Sequence, residues 1–216
     1  MMDGVMMLTR KNALQILRQL QEEYPDAGTL LQYNSTFELL VAVVLSAQST
    51  DEQVNRVTTQ LFQKYSSQST LAEAELSELE DIIRPVGIYR NKASHLKELA
   101  RVIQEQYQGQ VPDSLEELIK LPGVGRKSAN VIIAVGFGQP GLGVDTHVQR
   151  VSNRLGLVRT KTPVQTEMGL KELLPREMWG KAHHILIFHG RRICKARKPD
   201  CPHCVVERFC AKTFDK

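Results

Sequence analysis

The 216-residue sequence has no apolar run long enough to cross a membrane, and Met1 to Arg10 lacks the basic start, apolar core and small-residue cleavage site of a secretory leader. A cytoplasmic chain is expected, nucleoid-associated in a prokaryote or nuclear in a eukaryote. Cysteine is scarce. The four cysteines all fall between Cys194 and Cys210, so they cannot staple the chain as the disulfide framework of a secreted domain would. Apolar and polar residues do not alternate over strand lengths, and no stretch is of low complexity. Both absences argue against a sheet protein and for an all-α fold.

What is present is typical of a globular chain, with 42% hydrophobic and 24% charged residues. The length suits one large or two small domains. A net charge of +4 is modest but unevenly placed. From Arg191 to Lys216, eight Lys/Arg face three acidic residues, a local excess of five. Such clustering fits a phosphate-rich partner, or a solvated basic terminus.

Helix signals recur along the chain. Thr9 precedes an amphipathic stretch with Ala13, Ile16, Leu17 and Leu20, stopped at Tyr24-Pro25. Ser35 and Glu38 form a capping-box pair ahead of Phe37, Leu40, Val41 and Val44, and Thr50 or Asp51 caps a helix carrying Val54, Val57, Leu61 and Phe62. Further helices are predicted from about Leu71 and from Ser77, with Glu80 completing another box. Leu79 to Arg90 is echoed 36 positions later by Leu115 to Arg126, with Leu79/Leu115, Glu80/Glu116, Ile83/Ile119, Gly87/Gly123 and Arg90/Arg126 identical. A shared helix-turn-helix geometry explains this, as does chance likeness of two amphipathic helices. Gly138 to Gly143 is the linker candidate. Beyond it lie a helix with Val148, Val151 and Leu155 closed by Gly156, one opened by Thr162-Pro163 and ending near Pro175, and one from Trp179 with Gly190 as its stop.

Leu121-Pro122-Gly123-Val124-Gly125-Arg126-Lys127 joins two helical patterns. Ser114 and Glu117 cap the first, and Pro122-Gly123 ends it. The second runs from Arg126 to Phe137 and is apolar on nearly all sides, hence buried. Glycines at 123 and 125 let backbone N–H groups at a helix mouth approach an anion closely, and a phosphate is the natural guest. An ordinary helical hairpin with a Pro-Gly turn reads the same way. The stretch resembles a helix-hairpin-helix motif, which grips a nucleic-acid phosphate and reads no bases.

Cys194, Cys201, Cys204 and Cys210 are spaced C-x(6)-C-x(2)-C-x(5)-C. Four thiolates suit Zn²⁺ or an iron–sulfur cluster. A single C-x(2)-C knuckle with flanking single cysteines favours [4Fe–4S] over a zinc ribbon, and two disulfides fit a cytosolic chain poorly. His203, inside the knuckle, reads as a loop residue. Lys195 to Asp200 forms a basic loop whose ends the metal would fix, making a phosphate clamp.

The hairpin with Lys127, the segment Val144-Asp145-Thr146-His147 placing Asp145 eighteen residues after it, and the four-cysteine spacing together resemble the helix-hairpin-helix DNA glycosylase and abasic-site lyase family, from about Leu14 to Cys210. The segments Leu45 to Asp51, His183-His184 and His189 to Arg191 also look like family segments. The resemblance implies two helical domains with a DNA-binding cleft between them: residues 29–139 as a six-helix domain, and 1–28 with 140–216 as a discontinuous iron–sulfur domain. It also implies excision of oxidised pyrimidines from damaged double-stranded DNA by a monomer.

A base inside the stack is out of reach, so the nucleotide must be flipped. Lys127, an amine at a helix mouth beside Arg126, is suited to attack sugar C1′ and form a Schiff base that breaks the strand by β-elimination. Asp145 would stabilise positive charge at the sugar, although Asp before a helix is also an ordinary N-cap. By resemblance, Gln48 fills the gap and Ile88 is an apolar wedge. Ser46 and His147 are pocket candidates, and Gly123, Val124, Gly125, Lys195, Arg197 and Lys198 contact phosphates. Tyr89-Arg90-Asn91-Lys92 departs from the familiar Tyr-Asn-Ser-Lys, leaving Arg90 without a clear role. The competing readings are a monofunctional mismatch glycosylase of the same scaffold and a non-enzymatic, metal-stabilised DNA-binding module.

Overall fold

The computed structural model describes residues 8–214. Met1 to Met7, part of the segment read for a leader, and Asp215 and Lys216 of the basic terminus lie outside the described residues. Among the described residues all regular structure is helical. The α-helices are α1 (Arg10–Glu23), α2 (Thr36–Leu45), α3 (Asp51–Lys64), α4 (Gln68–Ala72), α5 (Leu76–Ile83), α6 (Tyr89–Gln106), α7 (Leu115–Leu118), α8 (Arg126–Gly136), α9 (Thr146–Leu155), α10 (Pro163–Leu173) and α11 (Trp179–Arg192). The chain divides into two compact units, one spanning Leu30–Gln139 and one formed by the chain up to Thr29 and from Pro140 onward.

The continuous unit is built around α2. Phe37 and every residue from Leu39 to Leu45 are buried, so the helix is apolar on all sides as a central helix must be. Helices α3, α6 and α8 pack on it. Each fully buried leucine, among them Leu39, Leu40, Leu61, Leu79, Leu96 and Leu99, contributes about 1.5–3 kcal/mol of transfer free energy. The discontinuous unit follows from the apolar stripe of α1. Its partner, α11, comes more than 150 residues later, and the two bury Ala13, Ile16, Leu17 and Leu20 with Ile185 and Leu186.

Most predicted N-termini hold because a cap is a local bond. Thr9, Ser35, Thr50, Ser114 and Thr162 each accept the backbone N–H three residues on, at 3.1–3.3 Å. Four expectations are corrected. The Ser77/Glu80 box does not form, because α5 begins at Leu76 with Glu75 as an N-cap that makes no side-chain bond. Gly138 to Gly143 is only half linker: Gly141, Leu142 and Gly143 are buried, and Leu142 belongs to the core of the discontinuous unit.

Gly190 does not stop α11, which runs on to Arg192. A Cβ there would lie 3.0 Å from Val151 and 3.2 Å from His147, so this glycine serves close packing against α9. Finally, the two echoed turns differ. Gly123 adopts φ 78° in one, whereas in the other the left-handed residue is Ile88, one position after Gly87.

Gly156 closes α9 at φ 82°, and a Cβ on it would stand 2.7 Å from that of Ala211. Gly156→Ala should therefore destabilise the protein by at least about 1–2 kcal/mol from backbone strain alone. Thermal denaturation reads this as a lower Tm, and an unchanged Tm would mean that the turn and the C-terminal tail relax freely.

Candidate active site and cysteine centre

The hairpin between α7 and α8 has the geometry of an anion cradle. Gly123 takes positive φ, and a Cβ on it would lie 3.2 Å from both His95 and Val44. Only glycine satisfies both limits. Gly125 caps α8 with no side-chain bond and with open space where a Cβ would be. The first-turn amides of a helix have no intrahelical partner and carry the positive end of its dipole. Val124 is different from its neighbours: its N–H donates to the Leu121 carbonyl (3.1 Å) and its side chain is buried. Its amide thus holds the turn. Lys127 stands in that first turn, half-buried.

Two loops of the same unit carry Gln48 and Ile88. Both residues are exposed and both adopt left-handed backbone, at φ 56° and 50°. For β-branched Ile88, 52% exposed, this is strained, at a cost of about 1–3 kcal/mol. The loops touch. Gly87 donates its N–H to Ser49 Oγ (3.1 Å), and a Cβ on Gly87 would lie 2.7 Å from the Gln48 carbonyl oxygen. Beneath them the buried Lys92 donates from Nζ to the Leu45 carbonyl (2.8 Å), the Ala47 carbonyl and Ser49 Oγ (3.2 Å). Burial pushes its ammonium below the usual lysine range. Ser46, half-buried, donates its hydroxyl to the Val43 carbonyl (2.8 Å). Arg90 stacks on Tyr89 and reaches Glu80 at 3.9 Å, so its side chain is engaged within the fold.

In the other unit Asp145 is an N-cap. Its Oδ1 accepts the N–H groups of His147 (2.8 Å) and Val148 (2.9 Å) at the start of α9, which leaves Oδ2 outside the cap. His147 Nδ1 faces Arg150 Nη2 at 3.2 Å. A guanidinium only donates, so Nδ1 accepts and the ring proton belongs on Nε2. Arg150 also donates to the carbonyls of Gly190 (2.9 Å) and Cys194 (3.0 Å).

The four cysteines are free thiols, which removes the disulfide reading. All four line one cavity with about 340 Å³ of space outside protein atoms, part of it open to solvent. Among the described residues no three His, Cys, Asp or Glu side chains are drawn together as ligands of a single ion. The sulfurs have polar neighbours: Lys212 N–H to Cys210 (3.3 Å), Arg154 to Cys194 (3.8 Å) and His189 Nε2 to Cys204 (3.6 Å). Burial pushes the Cys204 and Cys210 thiols up and His189 down to about 4. His203 is exposed and pairs with Asp200 at 2.8 Å, consistent with a loop residue. Lys195, Arg197 and Lys198 are all exposed on the loop between the first two cysteines. That loop is pinned by the protein itself. Arg154 donates to the carbonyls of Lys195 (2.7 Å) and Ala196 (3.0 Å), and Asp200 N–H closes the loop on Ile193 (3.0 Å).

Residues 41–176 match the profile of the HhH-GPD superfamily base excision DNA repair proteins. The chain is 47% identical to endonuclease III of Bacillus subtilis over 205 residues, covering 94% of each chain. It belongs to the endonuclease III family. A relative from Thermotoga maritima, also an endonuclease III, is 48% identical over 174 residues, 81% of this chain and 82% of its own. A solved endonuclease III trapped as a covalent intermediate with DNA superposes with a TM-score of 0.89 at 46% identity, covering 94% of this chain and 96% of that one. This family member is a base excision repair enzyme.

Lys92, Arg150 and Arg154 escape the sequence reading. The only signal for the arginines is their four-residue spacing on α9 just after Asp145; the carbonyls they bond are 40 or more positions away. Arg154→Met removes the side-chain donors that hold the Lys195 and Ala196 carbonyls. Amide hydrogen exchange at Lys195 and Asp200, whose N–H groups donate to the Ile193 carbonyl, should then accelerate by about tenfold or more. Unchanged protection there would show that the loop is held by something else.

Proposed function

We propose that this family member is a bifunctional DNA glycosylase and abasic-site lyase that removes oxidised pyrimidines from double-stranded DNA through a Schiff base on Lys127. The observation that carries the reading is a half-buried lysine in the first turn of α8, directly after the uncapped Gly123–Gly125 hairpin. The trapped covalent DNA intermediate of its relative supports it.

In this mechanism the first-turn amides of α8, with Gly123 and Gly125, take a backbone phosphate, and Val124 keeps the turn closed. The exposed Lys195, Arg197 and Lys198 add a second phosphate contact. Gln48 enters the gap left by the flipped nucleotide and Ile88 wedges the stack. The neutral amine of Lys127 forms a bond to C1′ as the C1′–N bond to the base breaks, and the base leaves with a proton. Loss of the amine proton and opening of the sugar ring give the iminium. Electron withdrawal by the iminium lets the C2′ proton be removed, and the electron pair expels the 3′ phosphate oxygen. Hydrolysis then frees Lys127. Asp145 offers Oδ2 to the developing positive charge and to proton movement while Oδ1 stays in the cap. Ser46 and His147 are, by resemblance, the candidates to contact the flipped base.

The donor set at Cys194, Cys201, Cys204 and Cys210 fits a [4Fe–4S] cluster: four free thiols on one cavity, with N–H groups aimed at the sulfurs. Such a cluster would cross-link residues 194–210 and complete the pinning of the basic loop. A monomer in the cytoplasm, at the nucleoid of a prokaryote, completes the reading.

Borohydride reduction on a duplex carrying an oxidised pyrimidine or an abasic site should join protein to DNA covalently. Lys127→Ala should abolish both the cross-link and strand cleavage. Asp145→Asn, which can still cap α9, should slow base excision by about 10²–10⁴-fold. Excision with no cross-link would select the mismatch-type monofunctional enzyme, and binding without either reaction the non-enzymatic module. Purified protein should be yellow-brown with about four irons per chain. A colourless, zinc-loaded and fully active preparation would overturn the cluster assignment.

A further inference from the structure

Lys92 is bonded to both protruding loops at once. Its backbone N–H donates to the Ile88 carbonyl (3.2 Å), in the first turn of α6. Its side chain, on a residue only 2% exposed, donates to the Ala47 carbonyl and to Ser49 Oγ, the residues on either side of Gln48, and to Leu45 at the end of α2. Ser49 Oγ in turn accepts the Gly87 N–H. Among the described residues no carboxylate is hydrogen-bonded to this ammonium; its bonded neighbours are oxygens of the 45–49 turn.

An apolar side chain of the same length would fill this space without the cost of desolvating a cation. What the ammonium adds is three directed bonds to one turn. A turn whose carbonyls converge on a single donor cannot relax to ordinary right-handed or extended backbone without losing those bonds. Gln48 and Ile88 are the two residues that stand in left-handed conformation on either side of this knot, and neither is a glycine.

We propose that Lys92 is a positioning residue for base extrusion: its buried ammonium and its backbone amide lock the Gln48 turn and the Ile88 turn into one rigid unit that presents both side chains to DNA together. This rests on the reading of Gln48 as gap filler and Ile88 as wedge. Lys92 itself touches neither substrate nor reacting atoms. Its contribution is to remove, before DNA arrives, the loop motions that insertion would otherwise have to freeze.

The test uses the full-length holoenzyme and a duplex containing one oxidised pyrimidine. Single-turnover excision is measured for Lys92→Met, Lys92→Arg, Ser49→Ala and the pair Gln48→Ala/Ile88→Ala, the pair also in combination with Lys92→Met and with Ser49→Ala. Lys92→Met should slow excision by about tenfold or more, and Lys92→Arg, which keeps donors, should recover part of it. In the Gln48→Ala/Ile88→Ala background Lys92→Met should add less than about twofold, because the residues it positions are gone. A purely structural lysine would instead lower Tm with equal and additive rate losses in both backgrounds, which would overturn the proposal. So would an unchanged rate in folded Lys92→Met. If Lys92→Met does not fold, Ser49→Ala decides: the same non-additive loss supports the knot, and a wild-type rate sinks it. A Gln48→Ala/Ile88→Ala enzyme that excises normally would overturn the gap-filling reading itself and, with it, this inference.

Discussion

The burial of α2 on every side is the constraint from which the continuous unit's functional geometry follows. From Leu39 onward the helix has no solvent face, so whatever surrounds it is held at van der Waals distance, and each proposed DNA-contacting loop of this unit abuts it. Val44 limits the space at Gly123 to that of a hydrogen, and Leu39 and Thr36 do the same at Gly136 on α8. Its C-terminal carbonyl, Leu45, receives Lys92. A closely packed interior transmits shape rather than absorbing it, so the mouth of α8 and the Gln48 and Ile88 turns share one rigid reference.

What was legible in the sequence is what depends on near neighbours. Caps at Thr9, Ser35, Thr50, Ser114 and Thr162 form with donors three residues away, and the cysteine spacing brings four thiols onto one cavity whatever the rest does. The Lys127 hairpin is equally local. The reading fails where tertiary packing decides. Ser77 and Glu80 have the right spacing for a cap, yet the helix enters two residues earlier, with Glu75 at the N-cap position. Gly190 looks like a terminator and is instead a contact surface for α9. The echo of Leu79–Arg90 in Leu115–Arg126 is genuine in residues but not in turn conformation, because Gly87 must yield to the Gln48 carbonyl whereas Gly123 meets His95 and Val44. Lys92, in a motif read for its neighbour Arg90, showed no sign of burial.

The discontinuous unit depends on side chains that serve backbone. Arg150 and Arg154, one turn apart on α9, donate to the carbonyls of Gly190, Cys194, Lys195 and Ala196. Both are fully charged donors meeting carbonyls that no helix or sheet would otherwise satisfy, and such bonds are stronger than neutral ones. Asp145 works the same way at the opposite end of α9, where one carboxylate oxygen completes the helix and the other stays outside the cap. A single helix thereby orders the carboxylate at its start and the basic loop at its end.

The tail beyond Cys210 returns to this helix: Ala211 and Thr213 donate N–H groups to the Leu155 and Arg154 carbonyls, and Phe214 lies 5.1 Å from the Arg154 guanidinium. Residues 211–214 are therefore a clasp on the same arginine that steadies the 195–198 loop. A load carried by residues 211–214 is therefore passed to Cys210 and, through Arg154, to the backbone of the basic loop.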